Sequence, residues 1–303
     1  MQKRVVSIII CVAAWSYLLY KLFTYEDYAL LWNKIITLPS INYIFLVIIL
    51  FLMPLNWWFE VEKWHVSVNR LKTQSFYDSF MQVLLGNAGA FITPYRLGEH
   101  PSRAYYLDDK NLFFPAVVLG FIGTIALEII NVGLGLPASV FYFSDPATTT
   151  LMIVYGVVLF VVIILFLLLP QAGHLLARHK KNNQQVRQVI DMLDSLSINF
   201  LLRLILLSIL RYAVYCFQLY MALRLFGIDL GLLTVLIAIP TYYMLVSISP
   251  SLPIADAAIR GSWAIVVFQA YTYDTPAIAF AVVILWLINT ALPLLAVPFV
   301  KKK

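Results

Sequence analysis

Apolar residues in this chain are collected into long runs separated by short polar and charged segments. Residues 5–22, 41–59, 112–134, 150–169, 200–223 and 276–299 are each about as long as the 20 helical residues that cross a bilayer. Each run predicts a transmembrane helix. From Val186 to Leu196 apolar residues recur at helical spacing beside acids, which predicts an amphipathic helix on the inner membrane surface.

Two further apolar runs are interrupted by proline. Residues 76–92 lead into Pro94, and residues 232–249 lead into Pro250. Proline and glycine break helices and free backbone donors and acceptors. Within a membrane such a break is tolerated only where it lines a cavity or is buried in protein. We therefore predict two re-entrant helical hairpins, residues 76–108 and 232–270.

The two breaks follow the same plan. Each has a hydroxyl residue before a proline, and then an acid four residues before an arginine. The matched residues are Thr93-Pro94, Glu99 and Arg103 in the first break and Ser249-Pro250, Asp256 and Arg260 in the second. Interrupted segments in corresponding positions of two halves point to a transporter site. Two capped interfacial loops that match by chance remain the alternative, because proline, serine and threonine are common at helix ends.

Composition excludes an ordinary soluble domain. Hydrophobic residues make up 62% of the 303 residues and charged residues only 12%, against about 25% charged in soluble domains. The fold class we predict is an all-α polytopic membrane protein, with six full spans and two re-entrant hairpins in an inverted repeat. Residues 1–303 form one domain with repeat halves at about 41–145 and 200–300.

The net charge of +6 comes from bases clustered between apolar runs. The positive-inside effect explains such clusters more simply than nucleic-acid binding does. It places both termini in the cytoplasm and makes the two hairpins enter from opposite faces, as inverted repeats require.

The motif residues resemble a known family. They are Gly86-Asn87, Thr93-Pro94, Arg96, Gly98-Glu99 and Arg103, followed by the second Pro/Ser-rich break with its acid and arginine. This pattern is similar to the transmembrane region of lysylphosphatidylglycerol synthases, a flippase-like family with stand-alone members. The second break departs from the family's glycine-rich form at Pro250, Pro253 and Ala255. The resemblance implies a protein of the bacterial cytoplasmic (inner) membrane that moves a lipid between leaflets, with aminoacyl transfer residing in a separate soluble domain.

The predicted site binds a phosphate-bearing headgroup, because guanidinium groups pair bidentately with phosphate. Its substrate-binding residues are Asn87, Thr93, Arg96, Glu99, Arg103, Ser249, Asp256 and Arg260. Arg103 and Arg260 would hold the phosphate, and Glu99 and Asp256 would orient them. The alternative is that the arginines are surface anchors and the acids stabilise helix N-termini.

Four other residues stand out by their position in or beside the apolar runs. Glu128 and Arg211 are ionisable residues inside regular spans, where each would cost at least about 2.5–3.5 kcal/mol if unpaired. They either form a mutual ion pair or line a polar pathway. Trp64 and His65 are predicted to lie in a short interfacial helix that anchors the chain.

Three functions remain open from the sequence. The first is a translocase for an anionic phospholipid or polyprenyl-linked lipid. The second is a membrane enzyme acting on a lipid-linked substrate. The third is a non-transporting subunit that recruits a synthase or glycosyltransferase partner. The expected partners are a membrane lipid and the bilayer, an oligomer is left open, and no cofactor, metal, catalytic residue or nucleic acid is predicted.

Overall fold

A computed structural model of the chain describes residues 42–107, 109–177, 183–250 and 255–299, and single residues 16, 20 and 36. All regular structure in these ranges is helical. The first predicted span, residues 5–22, lies almost wholly outside the described residues. The helices are α1 (Tyr43–Val68), α2 (Phe76–Ile92), α3 (Glu99–Tyr105), α4 (Lys110–Phe143), α5 (Pro146–Leu167), α6 (Leu169–Ala177), α7 (Gln184–Asp194), α8 (Ile198–Leu225), α9 (Leu232–Ile248), α10 (Asp256–Phe268), α11 (Thr275–Trp286) and α12 (Leu292–Leu294).

Five segments of the described chain are long and apolar enough to cross a membrane. They are Tyr43–Val68, Lys110–Phe143, Pro146–Leu167, Ile198–Leu225 and Thr275–Leu294. The last of these continues α11 through a π-helical turn, Leu287–Ala291, into α12. The chain is thus an integral membrane protein.

The second span is longer than predicted. α1 has 26 residues and runs nine residues past the predicted end at residue 59. The separate interfacial helix predicted for Trp64 and His65 is therefore wrong, since both residues continue α1. Trp64 is 2% exposed, and its Nε1 donates to Gln82 of α2 at 2.5 Å. This tryptophan packs between helices instead of anchoring the chain in a headgroup layer.

The third span also extends beyond its prediction. α4 has 34 residues, includes Pro115 and Pro137, and runs nine residues past the predicted end at residue 134. A Cβ at Gly135 would lie 2.3 Å from Met244 Cβ and 2.8 Å from the Pro240 carbonyl oxygen of α9. Close packing against α9 accompanies the continuation of the helix past Pro137, a residue type that ordinarily interrupts a helix.

The two interrupted runs form two pairs of consecutive helices. α2 is followed by α3 and packs against it, and α9 is followed by α10 and packs against it. α9 also packs along α4, and α1 packs along α8. These contacts surround an interior on which both helix breaks converge.

Candidate functional site

A polar cavity of about 480 Å³ lies inside the helix bundle. This volume is within the range of small-molecule sites. The charged side chains on its wall are Glu60, Lys63, Arg96, Glu99, Arg103, Glu128, Arg211, Asp256 and Arg260, with His100 beside them. Of the residues predicted for the site, Asn87 and Ser249 also line the cavity and Thr93 does not. The predicted residues on the cavity wall come from both helix breaks.

Thr93 closes the first break. α2 ends at Thr93, where the backbone becomes extended. Its hydroxyl donates to the Gly89 carbonyl oxygen at 2.6 Å and accepts from the Gly98 amide at 2.8 Å. A Cβ on Gly89 would lie 2.2 Å from Ser102 Oγ and 2.4 Å from the Gly98 carbonyl oxygen, so α2 and α3 approach each other closely at this point.

The backbone between the two helices is strained. Tyr95 and Arg96 both have a φ of 56°, a region that costs a residue with a Cβ about 1–2 kcal/mol. Strained residues of this kind concentrate at functional sites, where surrounding contacts hold them in place. Here the Arg96 Nη2 lies 2.9 Å from Glu99 Oε2, and that pair helps to fix the turn.

Ser249 plays the corresponding part in the second break. Its hydroxyl donates to the Leu245 carbonyl oxygen, four residues earlier, at 2.7 Å. It also accepts from Trp263 Nε1 of α10 at 2.7 Å. Thr93 and Ser249 therefore make the same bond to the preceding helical turn, and each also accepts a bond from beyond its break.

An ion cluster organises the first half of the cavity. We define the Glu60 cluster as Glu60, Lys63, Glu99, Arg103 and Arg211. Arg103 Nη2 lies 2.6 Å from Glu60 Oε1 and 2.5 Å from Glu99 Oε1. Lys63 Nζ lies 3.1 Å from Glu60 Oε2, and Arg211 also pairs with Glu60. One carboxylate of α1 thus joins α3 and α8 as well as a lysine of its own helix.

Glu60 was not predicted as a site residue, although the sequence carries a signal for it. Asn56, Glu60, Lys63 and Ser67 recur every three or four residues and form one buried polar face of α1. Because the predicted span ends at residue 59, Glu60, Lys63 and Ser67 fall outside it and the polar face is not recognised. A lysine after an apolar run is typical of the cytoplasmic surface, yet Lys63 is 5% exposed and lines the cavity.

A smaller ion pair marks the second half of the cavity. Arg260 Nε donates to Asp256 Oδ2 at 3.1 Å, and the same oxygen accepts from Trp286 Nε1 of α11 at 2.8 Å. Arg96 is close enough to Asp256 and Arg260 to interact electrostatically with both. The structure therefore brings the charged residues of the two breaks to one cavity.

Glu128 and Arg211 do not pair with each other, so the mutual ion pair is the wrong alternative. Arg211 pairs with Glu60, donates to Asn56 at 3.0 Å and donates to Tyr215 at 2.9 Å. Glu128 instead accepts from the Ser247 hydroxyl. Both residues line the cavity, as the polar-pathway alternative requires.

Amide side chains connect the cavity to the π-helical turn after α11. Asn87 Nδ2 donates to the Thr290 carbonyl oxygen at 3.3 Å. Asn289 Nδ2 donates to Gln218 Oε1 at 3.2 Å, and Asn56 Nδ2 donates to Asn289 Oδ1 at 3.0 Å. π-Helical turns are rare and occur frequently at functional sites. Their carbonyl groups depart from the regular ladder and accept bonds from neighbouring helices here.

Comparison with known proteins agrees with the motif pattern. The family model described as the lysylphosphatidylglycerol synthase TM region matches residues 5–297. The chain belongs to this family. The resemblance inferred from the two breaks is confirmed over nearly the whole sequence. No curated protein and no solved structure matched the chain.

Proposed function

We propose that the protein binds the phosphate-bearing headgroup of an anionic phospholipid or polyprenyl-linked lipid and moves the lipid between leaflets. The observation that carries the proposal is the polar cavity, on which charged residues of both helix breaks converge within an apolar bundle. Burying a charged side chain within a membrane costs free energy, so ionisable residues inside such a bundle indicate a ligand site or a polar pathway. Membership of a membrane-domain family linked to lipids supports the same class of function.

The balance of charge favours an anionic ligand. Among the described residues, five cationic side chains and four carboxylates line the cavity. An anionic phosphate would compensate the excess of positive charge. Charged and polar groups inside a protein interact with such a charge more strongly than fully water-exposed groups do.

Arg96 and Arg260 are best placed to bind the phosphate. Their side chains are 41% and 29% exposed, and each forms a salt bridge to a single carboxylate. Arg103 is only 4% exposed and already bonds to Glu60 and Glu99. We therefore assign phosphate binding to Arg96 and Arg260, and assign Arg103 to positioning the first break.

The lengths of the paired helices support re-entrant hairpins. α2 and α9 have 17 residues each, α3 has 7 and α10 has 13, all shorter than the 20 or so residues of a full crossing. In the proposed topology α2–α3 enters from the cytoplasmic face and α9–α10 enters from the opposite face, between six full spans. Rocking of the two repeat halves would then expose the cavity to each leaflet in turn.

Reconstitution tests the proposal. Purified protein is placed in phosphatidylcholine vesicles that contain a trace of fluorescent phosphatidylglycerol, and the leaflet distribution is followed by chemical quenching from outside. We expect lipid movement that is reduced about tenfold or more by Arg260→Ala, because a charge-assisted bond contributes about 1.5–3 kcal/mol. Arg187→Ala is the matched control, since Arg187 of α7 is 74% exposed and lies away from the cavity.

Other outcomes would favour the other functions. A change in lipid mass after incubation with the protein alone would indicate a membrane enzyme. Absence of both movement and mass change, together with a copurifying synthase or glycosyltransferase, would indicate a recruiting subunit. Equal lipid movement in Arg260→Ala and the parent protein would contradict the assigned site.

A further inference from the structure

Glu128 differs from the other carboxylates of the cavity. Glu60, Glu99 and Asp256 each pair with at least one arginine. No such ion pair joins Glu128 to an arginine or lysine in the described part of the chain. The neutral Ser247 hydroxyl donates to one of its oxygens instead.

The partner of Glu128 lies at the end of α9, beside the second helix break. Ser247 belongs to the last turn of α9, two residues before Ser249, where the helix breaks. α4 and α9 are packed closely, as the contact of Gly135 with Met244 and Pro240 shows. The Glu128–Ser247 bond therefore ties the wall of the cavity to the beginning of the second break.

Protonation changes the hydrogen bonds that Glu128 can form with Ser247. An ionised carboxylate only accepts hydrogen bonds, whereas a carboxylic acid also donates one. A serine hydroxyl can accept as well as donate, so the contact survives protonation with its direction reversed. Charge at this position can thus change without leaving Ser247 unbonded.

Every other carboxylate that the structure describes on the cavity wall is held in an ion pair. The cations that influence it most are Lys63 of α1, Arg96 of the first turn and Arg260 of α10, and each is already paired with its own acid. The remaining titratable groups on the same cavity wall are Glu60 of α1, Tyr95 of the first break, Glu99, His100 and Arg103 of α3, Arg211 and Tyr215 of α8, Tyr242 and Tyr243 of α9, and Asp256 of α10. Negative charge that enters the cavity therefore acts on Glu128 with the least local compensation.

This arrangement links anion binding to proton binding. A phosphate brought near a carboxylate disfavours its ionised form. Glu99 and Asp256, which would flank the phosphate, stay ionised because each contacts an arginine. Glu128 has no such cationic partner among the described residues. By reciprocity, proton binding at Glu128 then strengthens anion binding by the same factor.

We infer that Glu128 is a proton-binding site that couples binding of the anionic headgroup to uptake of one proton. The inference deepens the proposed function and rests on it. The proton comes from the aqueous side to which the cavity is open, binds a Glu128 carboxylate oxygen, and leaves to the other side when the lipid is released. A singly charged lipid and one proton then move together without net charge.

The test uses the same vesicles with an imposed pH gradient. For one proton per lipid, a gradient of one pH unit shifts the equilibrium leaflet distribution of phosphatidylglycerol by up to about tenfold, since one unit corresponds to 1.36 kcal/mol. A membrane potential imposed with valinomycin should leave the distribution unchanged. In Glu128→Gln, which keeps the size of the side chain and can still accept from Ser247, the pH response should disappear and the residual movement should follow the potential.

The failures of the two proposals can be told apart. No movement under any gradient overturns the proposed function and, with it, the coupling. Movement in the parent protein that ignores the pH gradient, or a pH response retained in Glu128→Gln, overturns the coupling alone.

A second measurement does not depend on a variant that folds. Adding phosphatidylglycerol to the parent protein in weakly buffered detergent solution should raise the pH, with uptake of about one proton per lipid bound, as the linkage requires. Binding without a pH change would refute the inference. Inorganic phosphate in place of the lipid distinguishes recognition of the phosphate alone from recognition of the whole lipid.

Discussion

The two helix breaks share a local plan but differ in what surrounds it. In the first, Arg103 is 4% exposed and bonds to carboxylates from two helices. In the second, Arg260 is 29% exposed and bonds to the acid four residues before it. The same acid–arginine spacing has thus become a buried structural cluster in one half and an accessible pair in the other. A repeated motif therefore does not fix a repeated role.

The largest effect should come from removing the centre of the first half. Glu60→Gln leaves Lys63, Arg103 and Arg211 without their shared carboxylate, and breaking a buried pair costs about 3–5 kcal/mol. We expect a lower thermal unfolding midpoint in detergent, followed by tryptophan fluorescence. Glu62→Gln is the matched control, because its partner Arg203 is 56% exposed and such pairs contribute at most about 1 kcal/mol. Equal losses in the two variants would contradict a structural role for the cluster.

Substitution of Arg103 and of Arg260 should affect different properties, the first the stability of the protein and the second its affinity for lipid. Arg103→Ala leaves Glu60 and Glu99 under-compensated, so we expect it to lower the unfolding midpoint. Arg260→Ala should lower the affinity for phosphatidylglycerol about tenfold or more, with a smaller change in the midpoint, because its side chain contacts fewer protein groups. Measuring both quantities for both variants checks the comparison. Loss of lipid affinity in Arg103→Ala, with the larger fall in unfolding midpoint in Arg260→Ala, would place the ligand in the first half.

Close packing in the first break predicts an intermediate effect. Gly89→Ala would put a methyl group 2.2 Å from Ser102 Oγ, and overpacking of this kind costs about 1–3 kcal/mol. Gly156→Ala in α5 meets nothing within 4 Å and should be neutral or stabilising, because alanine is the better helix former. The unfolding midpoints of the two variants should therefore move apart. A tolerated Gly89→Ala would mean that α2 and α3 can separate.

The smallest effect concerns the second break. Trp286→Phe removes the indole N–H that bonds to Asp256 at 2.8 Å but keeps most of the ring. Losing one such bond costs about 0.5–1.5 kcal/mol, so we expect lipid affinity to fall a few-fold as Asp256 and Arg260 become less ordered. Titration of the variant with phosphatidylglycerol measures this. Unchanged affinity would show that α11 does not position the pair.

Much of the local structure could be predicted from the sequence. Thr93-Pro94 and Ser249-Pro250 mark the ends of α2 and α9 because proline restricts the residue before it and cannot continue the hydrogen-bond ladder. The amphipathic helix predicted near residues 186–196 is present as α7. Helix ends that depend on packing were missed, as at α1 and α4, where burial against neighbouring helices outweighs local stop signals.

The sequence by itself determined that the chain is helical, embedded in a membrane and interrupted twice by acid–arginine pairs. These features depend on composition and on residues a few positions apart, so local pattern is enough. Only the tertiary structure decided that Arg103 and Arg211 meet Glu60, which lies 43 and 151 residues away along the chain. The same packing places Glu128 against a neutral partner, the Ser247 hydroxyl. Long-range ion pairs are chosen by which helix faces come together, and no local pattern specifies that choice.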